Sequence, residues 1–213
     1  MKGKNKSLLQ KLTEEIIWLD SKHVHPLFYK RFIKEIPFPE FDKKDKVIDI
    51  GCGAGWLTRN LAKRVSEGEV VGIDSSGNYI KKLNQSLEKD KSGEYKNLVF
   101  RLANAENIPY PDSYFNYAVS SASLSFWSKP EKGLKEISRV LKLDGKLCIA
   151  DVYKEGLFWT TGLVKIFSRF SPYKMNIYSS QELREFFQRA GFTIMYQKEI
   201  MGMLVTIGTN RYK

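Results

Sequence analysis

The stretch VIDIGCGAGW, residues 47–56, decides the fold. It starts as an apolar run with one acid, Asp49, and ends with three glycines at alternate positions, Gly51, Gly53 and Gly55. Glycine costs backbone entropy wherever it is placed, so this density predicts a chain that turns tightly or lies very close to another group. An apolar strand that leads through a glycine-rich turn into a helical pattern is typical of the first unit of a doubly wound α/β sheet.

Short β-rich runs alternate with helical patterns from residue 46 onward. Alternation at this length predicts βαβ units and a mostly parallel sheet with right-handed crossovers. A capped helix, SSQELREFFQRAG, ends at Gly191 and leads into two closing strands, FTIMYQKEI and MLVTIGTN. The earlier predicted strands are KVIDI, EVVGID, NLVFRLA, YFNYAVSSAS and GKLCIADVY.

Composition bounds the class of protein. With 213 residues, of which 42% are hydrophobic, the chain can bury one sizeable core. The net charge is +11, with most of the excess in residues 1–46 and 152–213. This excess fits either an ordinary solvated surface or contact of the basic flanks with RNA, a phospholipid surface or an acidic small molecule. No membrane span or signal peptide is recognised, and two distant cysteines favour a reduced cytoplasm.

The sequence of the glycine turn does not match two common phosphate-binding motifs. A Walker loop needs GxxxxGK[ST], which is absent, and a dinucleotide fingerprint needs GxGxxG, whose third glycine position holds Trp56. What remains is a strand acid followed by three alternating glycines. The next predicted strand ends in Asp74, roughly 20 residues after the glycines, where a Rossmann-type fold places a carboxylate on ribose hydroxyls.

The segment DIGCGAG resembles motif I of the class I S-adenosylmethionine-dependent methyltransferases. Two further blocks, LANAENIPYPDSYFNYAVSSASLSF and EISRVLKLDGKLCIAD, resemble the family's segments around the fourth and fifth strands. The resemblance runs from about residue 46 to 152 and is closest to the branch containing the ubiquinone/menaquinone methyltransferases. It implies a doubly wound, mostly parallel sheet of seven strands, with the last strand antiparallel and helices on both faces.

The resemblance also implies S-adenosylmethionine as cofactor, with S-adenosylhomocysteine as product. The glycine turn would admit the methionine moiety, an acid in the first strand would hold the region of its amino group, and the acid ending the second strand would bind the ribose. Residues after the second and third strands would meet the adenine, and the end of the fourth strand would face the sulfonium. The predicted cofactor-binding residues, in chain order, are Asp49, Gly51, Cys52, Gly53, Asp74, Ser75, Asn104, Ala105 and Ser121.

The sequence departs from the family pattern at several positions. Asn104 stands where the family usually has an acid that accepts from the adenine amino group, so we expect binding of altered strength. Asn116 replaces another usual acid, and Leu143-Asp144 replaces the common Pro-Gly. The segment SSASL lacks the [DN]PP[YFW] tetrad of amino-directed DNA methyltransferases, which argues against that branch.

The flanks are expected to set the substrate of a single domain. Its predicted parts are an N-terminal helical cap (1–45), a cofactor-binding core (46–152), a lid insert (153–178) and a C-terminal helix with a strand pair (179–213). Tyr29 and His25 are the candidate catalytic residues, and His23 with His25 lacks the third ligand of a zinc site, so no metal is expected. The insert's apolar residues either pack over the sheet or form a lid; they are Phe158, Trp159, Val164, Phe167 and Phe170.

The sequence therefore predicts methyl transfer to a small-molecule or lipid-like acceptor by in-line displacement. The N-terminal signature of the ubiquinone type is absent, so the resemblance does not assign quinone synthesis. An RNA methyltransferase, a non-catalytic S-adenosylmethionine-binding protein and a nicotinamide oxidoreductase remain alternatives. The sequence does not determine the oligomeric state.

Overall fold

The strands of the protein follow the predicted runs closely. The computed structural model describes residues 35–37, 40–156 and 174–211. The strands in these ranges are β1 (Lys46–Ile50), β2 (Glu69–Asp74), β3 (Leu98–Leu102), β4 (Phe115–Ser121), β5 (Leu141–Asp151), β6 (Phe192–Ile200) and β7 (Met203–Asn210).

These strands form one seven-stranded sheet in the order β3-β2-β1-β4-β5-β7-β6. The pairs β1–β2, β1–β4, β2–β3 and β4–β5 are parallel, and β7 runs antiparallel to both β5 and β6. The predicted fold class, including the antiparallel last strand, is confirmed. The strand order reverses between β1 and β4, so their carboxyl ends form the switch point at which such sheets bind ligands.

Four α-helices lie in the described ranges: α1 (Trp56–Arg64), α2 (Gly77–Glu88), α3 (Pro130–Val140) and α4 (Ser180–Arg189). A capping box starts α4, because Ser179 Oγ accepts from Glu182 N at 3.1 Å and the Glu182 carboxylate accepts from Ser179 N at 2.6 Å. The predicted cap and end of this helix are confirmed. None of the helices in the described ranges has the length and apolar character needed to cross a membrane.

The fifth strand begins earlier than the sequence predicts. We expected it from residue 145, but β5 starts at Leu141, directly after α3. Asp144 takes a left-handed conformation, with φ of 61°, where the family has glycine, and its carboxylate pairs with Arg211. The register of β4 against β5 shifts between Phe115 and Tyr117. The turn at Asp144 therefore lies within β5 and forms an irregularity in the pairing of β5 with β4.

The hydrophobic core forms two layers, one on each face of the sheet. Side chains alternate along a strand, so neighbouring strand residues enter opposite layers. Helices α1 and α2 cover one face, and α3 and α4 cover the other. The first layer contains Val47, Val70, Phe100, Val119, Leu57, Leu61 and Leu83, and the second contains Ile48, Ile50, Val71, Leu134, Ile137, Leu183 and Phe187.

Candidate functional site

The glycine turn after β1 is held against the end of β2. Gly51 N and Cys52 N donate to Ile73 O at 2.8 and 2.9 Å. Gly51 and Gly53 have φ of 74° and 52°, a region that side-chain-bearing residues rarely adopt. Apart from Gly53 and its two chain neighbours, no heavy atom of the described residues lies within 4 Å of the position that a Cβ on Gly53 would take. The turn therefore presents bare main chain to open space.

Gly55, the third glycine, has a packing role. A Cβ on Gly55 would come within 2.7 Å of Leu83 and 2.9 Å of Phe100. These contacts bring the start of α1 close to α2 and β3. Close helix–sheet packing is the task of the third glycine in a dinucleotide fingerprint. In this chain Gly55, one position earlier, has that packing role, which explains why Trp56 is tolerated as the first residue of α1.

Asp74 lies at the end of β2, beside the glycine turn. Its Oδ2 accepts from Gly53 N at 2.9 Å and its Oδ1 accepts from Ser76 N at 2.8 Å. These two main-chain contacts fix the carboxylate at the carboxyl end of β2, next to the glycine turn. The adjacent Ser75 is exposed.

The predicted adenine contacts follow β3 at the same edge of the sheet. Ala103 N donates to Asp74 O at 3.1 Å, which places this segment next to β2. Asn104 is exposed, and its Oδ1 accepts from Glu106 N at 3.0 Å in an Asx turn. The side chain of Ala105 is buried, 6% exposed, in the α3 layer. Only the main chain of Ala105 is thus placed to meet a ligand.

Asp49 lies under the turn, on the face of β1 that α1 covers. It is 1% exposed, and its Oδ2 accepts from Thr58 Oγ1 at 2.7 Å. The pKa of Asp49 is raised to about 7, mainly by burial and to a lesser extent by the charge of Asp74, against the lowering effect of the hydrogen bond from the Thr58 hydroxyl. Near neutral pH this carboxyl is poised between its two forms, so a cationic group nearby would favour the ionised form.

Thr58 is a partner that the sequence analysis missed. It is fully buried, at 0% exposed, on the same helix face as Leu57 and Leu61. A polar residue inside an apolar helix stripe is a signal, because a buried hydroxyl needs a hydrogen-bond partner. The nearest acid along the chain in a buried strand is Asp49, so the pairing was open to inference.

Cys52 contributes main chain to the turn. Its side chain is buried, and burial raises the pKa of the Cys52 thiol well above its ordinary value. The thiol is therefore a poor nucleophile, and any contact of Cys52 with a ligand is expected through the backbone.

The turn after β4, residues 121–127, closes against the glycine turn. Ser121 is half-buried at the end of β4 and pairs with Ala150 of β5. A Cβ on Gly51 would overlap Ser123 Oγ and lie 2.6 Å from Ser123 Cβ. The indole of Trp127 donates from Nε1 to Ser123 Oγ at 3.0 Å. Ser123 and Trp127 were not predicted, because this contact depends on how β1 and β4 align.

Asp151, at the end of β5, holds the β4 turn in place. It is 4% exposed, and it accepts from Ser125 N at 3.1 Å and Val152 N at 2.8 Å. Burial raises the pKa of Asp151 to about 6, against the lowering effect of these amides. A signal existed, since Asp151 ends an apolar strand as Asp74 does. The amides that it binds could not be read from that pattern.

The predicted catalytic residues His25 and Tyr29 lie outside the described residues, and so do the apolar residues of the predicted lid. The cap (1–45) and lid (153–178) fall largely in the same undescribed ranges, so these assignments stay predictions. The cofactor set, in contrast, lies wholly in the described part of the chain. Its residues gather at the carboxyl ends of β1, β2, β3 and β4.

Comparison with known proteins identifies the family. The chain matches the model of the methyltransferase domain over residues 41–195. A solved S-adenosylmethionine-dependent methyltransferase from Aquifex aeolicus superposes with a TM-score of 0.66 over 84% of this chain and 88% of that one, at 24% identity. This likeness concerns the fold. The chain therefore belongs to the methyltransferase domain family and has the fold of the class I enzymes, whose cofactor is S-adenosylmethionine.

Two relatives show which branch the chain resembles. It is 31% identical over 165 residues to 2-methyl-6-phytyl-1,4-hydroquinone methyltransferase 2, chloroplastic, of Oryza sativa subsp. japonica, covering 77% of this chain and 43% of the rice protein. It is 28% identical over 187 residues to the demethylmenaquinone methyltransferase of Desulfitobacterium hafniense, covering 78% of this chain and 72% of that protein. The chain thus spans less than half the length of the rice relative.

Proposed function

We propose that the chain transfers a methyl group from S-adenosylmethionine to a quinol-like aromatic acceptor with an apolar tail. The observation that carries the proposal is the bare main chain at Gly53, held beside the carboxylate of Asp74, whose Oδ2 accepts from Gly53 N. The acceptor class is inferred from the relatives, whose names refer to a phytyl hydroquinone and to demethylmenaquinone.

The residues at the switch point fit the cofactor. A ligand can lie directly against Gly53, because the space that a Cβ would fill is open among the described residues. We assign Asp74 to the two ribose hydroxyls and the neighbouring Ser75 to the adenine. Asn104 can still accept from the adenine amino group through its carbonyl, although Oδ1 already accepts from Glu106 N.

Asp49 is assigned to the amino group of the methionine moiety. Its pKa of about 7 means that the ionised form is accessible at neutral pH. A nearby ammonium would lower that pKa and draw the carboxyl into its charged form. Because Asp49 is 1% exposed and bonded to Thr58, the interaction is with a buried charge and weakly screened.

When bound, S-adenosylmethionine supplies a methyl group on a sulfonium, which is a good leaving group. The chain's task is then to align the acceptor behind the methyl and to exclude water. We assign Ser121, with the turn that Asp151 anchors, to the wall facing the sulfonium. We place the acceptor toward the predicted cap and lid, where Tyr29 and His25 are the candidates for removing a proton from it.

The proposal is tested by offering several acceptors to the full chain with methyl-labelled S-adenosylmethionine. The panel contains reduced demethylmenaquinone, 2-methyl-6-phytyl-1,4-hydroquinone, a tailless hydroquinone and a transfer RNA mixture. We expect label in the tailed quinols, less in the tailless one, and none with the Asp74→Ala variant. Label in the RNA alone would overturn the acceptor class, and cofactor binding with no labelled product from any acceptor in the panel would overturn the enzymatic assignment.

A further inference from the structure

A second concave site lies on the outer side of the helix layer, away from the cofactor edge. It is an open groove of about 470 Å³ between α1, α2 and the loop that precedes β3. Its described lining includes Arg59 of α1 and, beyond it, Lys82, Ser86, Lys89, Asp90 and Tyr95. None of these residues belongs to the predicted cofactor set, so the groove needs a separate explanation.

The described lining of the groove carries an excess of positive charge. Three cations, Arg59, Lys82 and Lys89, face one acid, Asp90. The carboxylate of Asp90 accepts from Ser92 N at 3.1 Å and Ser92 Oγ at 3.0 Å, and these bonds lower the pKa of Asp90. Even without Lys82, the cations Arg59 and Lys89 outnumber the carboxylate of Asp90, so this part of the groove attracts anions.

Arg59 is held ready to bind an anion. Its Nη2 donates to Ser86 Oγ at 3.1 Å, and its guanidinium lies 4.9 Å from the ring centroid of Tyr95. Stacking on an aromatic ring and a side-chain hydrogen bond restrict the long arginine side chain. Only one of the five N–H donors of the guanidinium is used by Ser86, and its planar fork matches a phosphate group. Less entropy is lost when such a preorganised group binds.

A neighbouring ion pair shows how the groove differs from the surface beside it. Lys63, on the same helix as Arg59, pairs with Glu94 at 2.9 Å beside the same tyrosine ring. That lysine and that acid neutralise one another outside the groove. The cations that line the groove are thus distinguished from an ordinary cationic surface by concavity, by an aromatic wall and by the restrained Arg59.

From this arrangement we infer that the groove binds a phosphate-bearing anion. Guanidinium, ammonium and hydroxyl donors around a volume of this size suit a group of one or two phosphates, from a soluble organic phosphate or a phospholipid headgroup. A nucleic-acid strand, in contrast, is bound along an extended basic track with several stacking platforms. The groove is limited to about 470 Å³, and its described lining has one aromatic residue, Tyr95.

The test uses inorganic pyrophosphate as the probe, with calorimetric titration of the full chain. The variant Lys82→Gln/Lys89→Gln removes two groove charges, and Arg59→Gln removes the restrained guanidinium. The matched control is Lys135→Gln/Lys198→Gln, which changes net charge equally at exposed positions of α3 and β6. We expect each groove variant to weaken pyrophosphate binding about tenfold or more, and the control by less than about twofold.

Two further measurements separate the sources of the phosphate. Vesicles of phosphatidylglycerol, with phosphatidylcholine vesicles for comparison, test the headgroup, and S-adenosylhomocysteine titration reports on the cofactor edge. Vesicle binding that pyrophosphate displaces and the double variant loses identifies a headgroup, whereas pyrophosphate binding without vesicle binding identifies a soluble phosphate. The inference is wrong if wild type binds neither probe, if the control loses as much affinity as the groove variants, or if only RNA binds. Because the groove variants keep their cofactor edge, unchanged S-adenosylhomocysteine affinity separates these outcomes from failure of the methyltransferase proposal.

Discussion

The turns after β1 and β4 meet at one edge of the sheet, but they are built in opposite ways. The β1 turn consists of glycines with positive φ, and its main chain at Gly53 faces open space. The β4 turn is closed by side chains, with Ser123 bonded to Trp127 and the amide of Ser125 bonded to buried Asp151. In the proposed function, the β1 turn receives the cofactor and the β4 turn stays in place while it does.

This difference predicts which substitutions should weaken ligand binding and which should lower stability. In the β1 turn the ligand is expected to complete contacts that the protein alone leaves open, so variants should lose binding. In the β4 turn the Ser123 hydroxyl and the Ser125 amide already have partners within the protein, so variants that remove these contacts should lose stability first. Gly51 touches both turns, because any side chain there would run into Ser123.

The largest effect is expected at Asp74. The variant Asp74→Ala should weaken S-adenosylhomocysteine binding by at least about a hundredfold, because two charge-assisted hydrogen bonds to ribose are lost. Calorimetry measures the affinity, and circular dichroism reports on the fold. Asp112→Ala, which removes an exposed acid paired with Arg139, is the matched control. Near-wild-type affinity in Asp74→Ala would refute the ribose assignment.

Alanine substitutions at Gly51 and Gly53 should distinguish the effects on stability and on binding most clearly. Gly51→Ala should lower the free energy of unfolding by about 2–4 kcal/mol, since it adds a clash with Ser123 to a strained φ. Gly53→Ala should cost only about 1 kcal/mol of stability, for the φ alone, and yet weaken cofactor binding. Denaturant unfolding and calorimetry on both variants measure the two quantities. Equal stability losses would mean that the β4 turn does not press on Gly51.

Asp151→Asn should act on stability before binding. Asparagine keeps one acceptor oxygen but turns an amide group toward a backbone N–H, so we expect a loss of about 1–3 kcal/mol in unfolding free energy. Hydrogen exchange at Ser125 and Val152 should quicken in the same variant. A purely structural anchor far from the reaction would leave turnover unchanged, whereas an anchor of the cofactor wall should lower kcat more than it raises KM.

The smallest effect is the pH dependence that Asp49 confers on binding. Its pKa is about 7 without ligand, and an ammonium beside it favours the ionised form, so binding releases a proton. Affinity for S-adenosylhomocysteine should therefore rise as the pH increases from 6 to 8, by up to about tenfold. Asp49→Asn should show a flatter profile. A wild-type profile that is flat or falls with pH would remove Asp49 from the amino group.

The sequence predicted the features that local patterns determine and missed those that depend on contacts between segments distant in the chain. The strand runs, the glycine turn and Asp74 were legible because period, glycine density and spacing are local patterns, and β2, β6 and β7 begin and end where those patterns did. The contact of Ser123 with Gly51 was not legible, since it arises from the alignment of strands distant in sequence. The early start of β5 was missed because Asp144 takes a conformation usual for glycine.

The most direct test of the account is a calorimetric titration of the full chain with S-adenosylhomocysteine, with NADH as the matched titrant. The account predicts saturable one-site binding of S-adenosylhomocysteine and no binding of NADH. Binding of NADH alone would contradict it, because the glycine turn and Asp74 would then serve a nicotinamide cofactor.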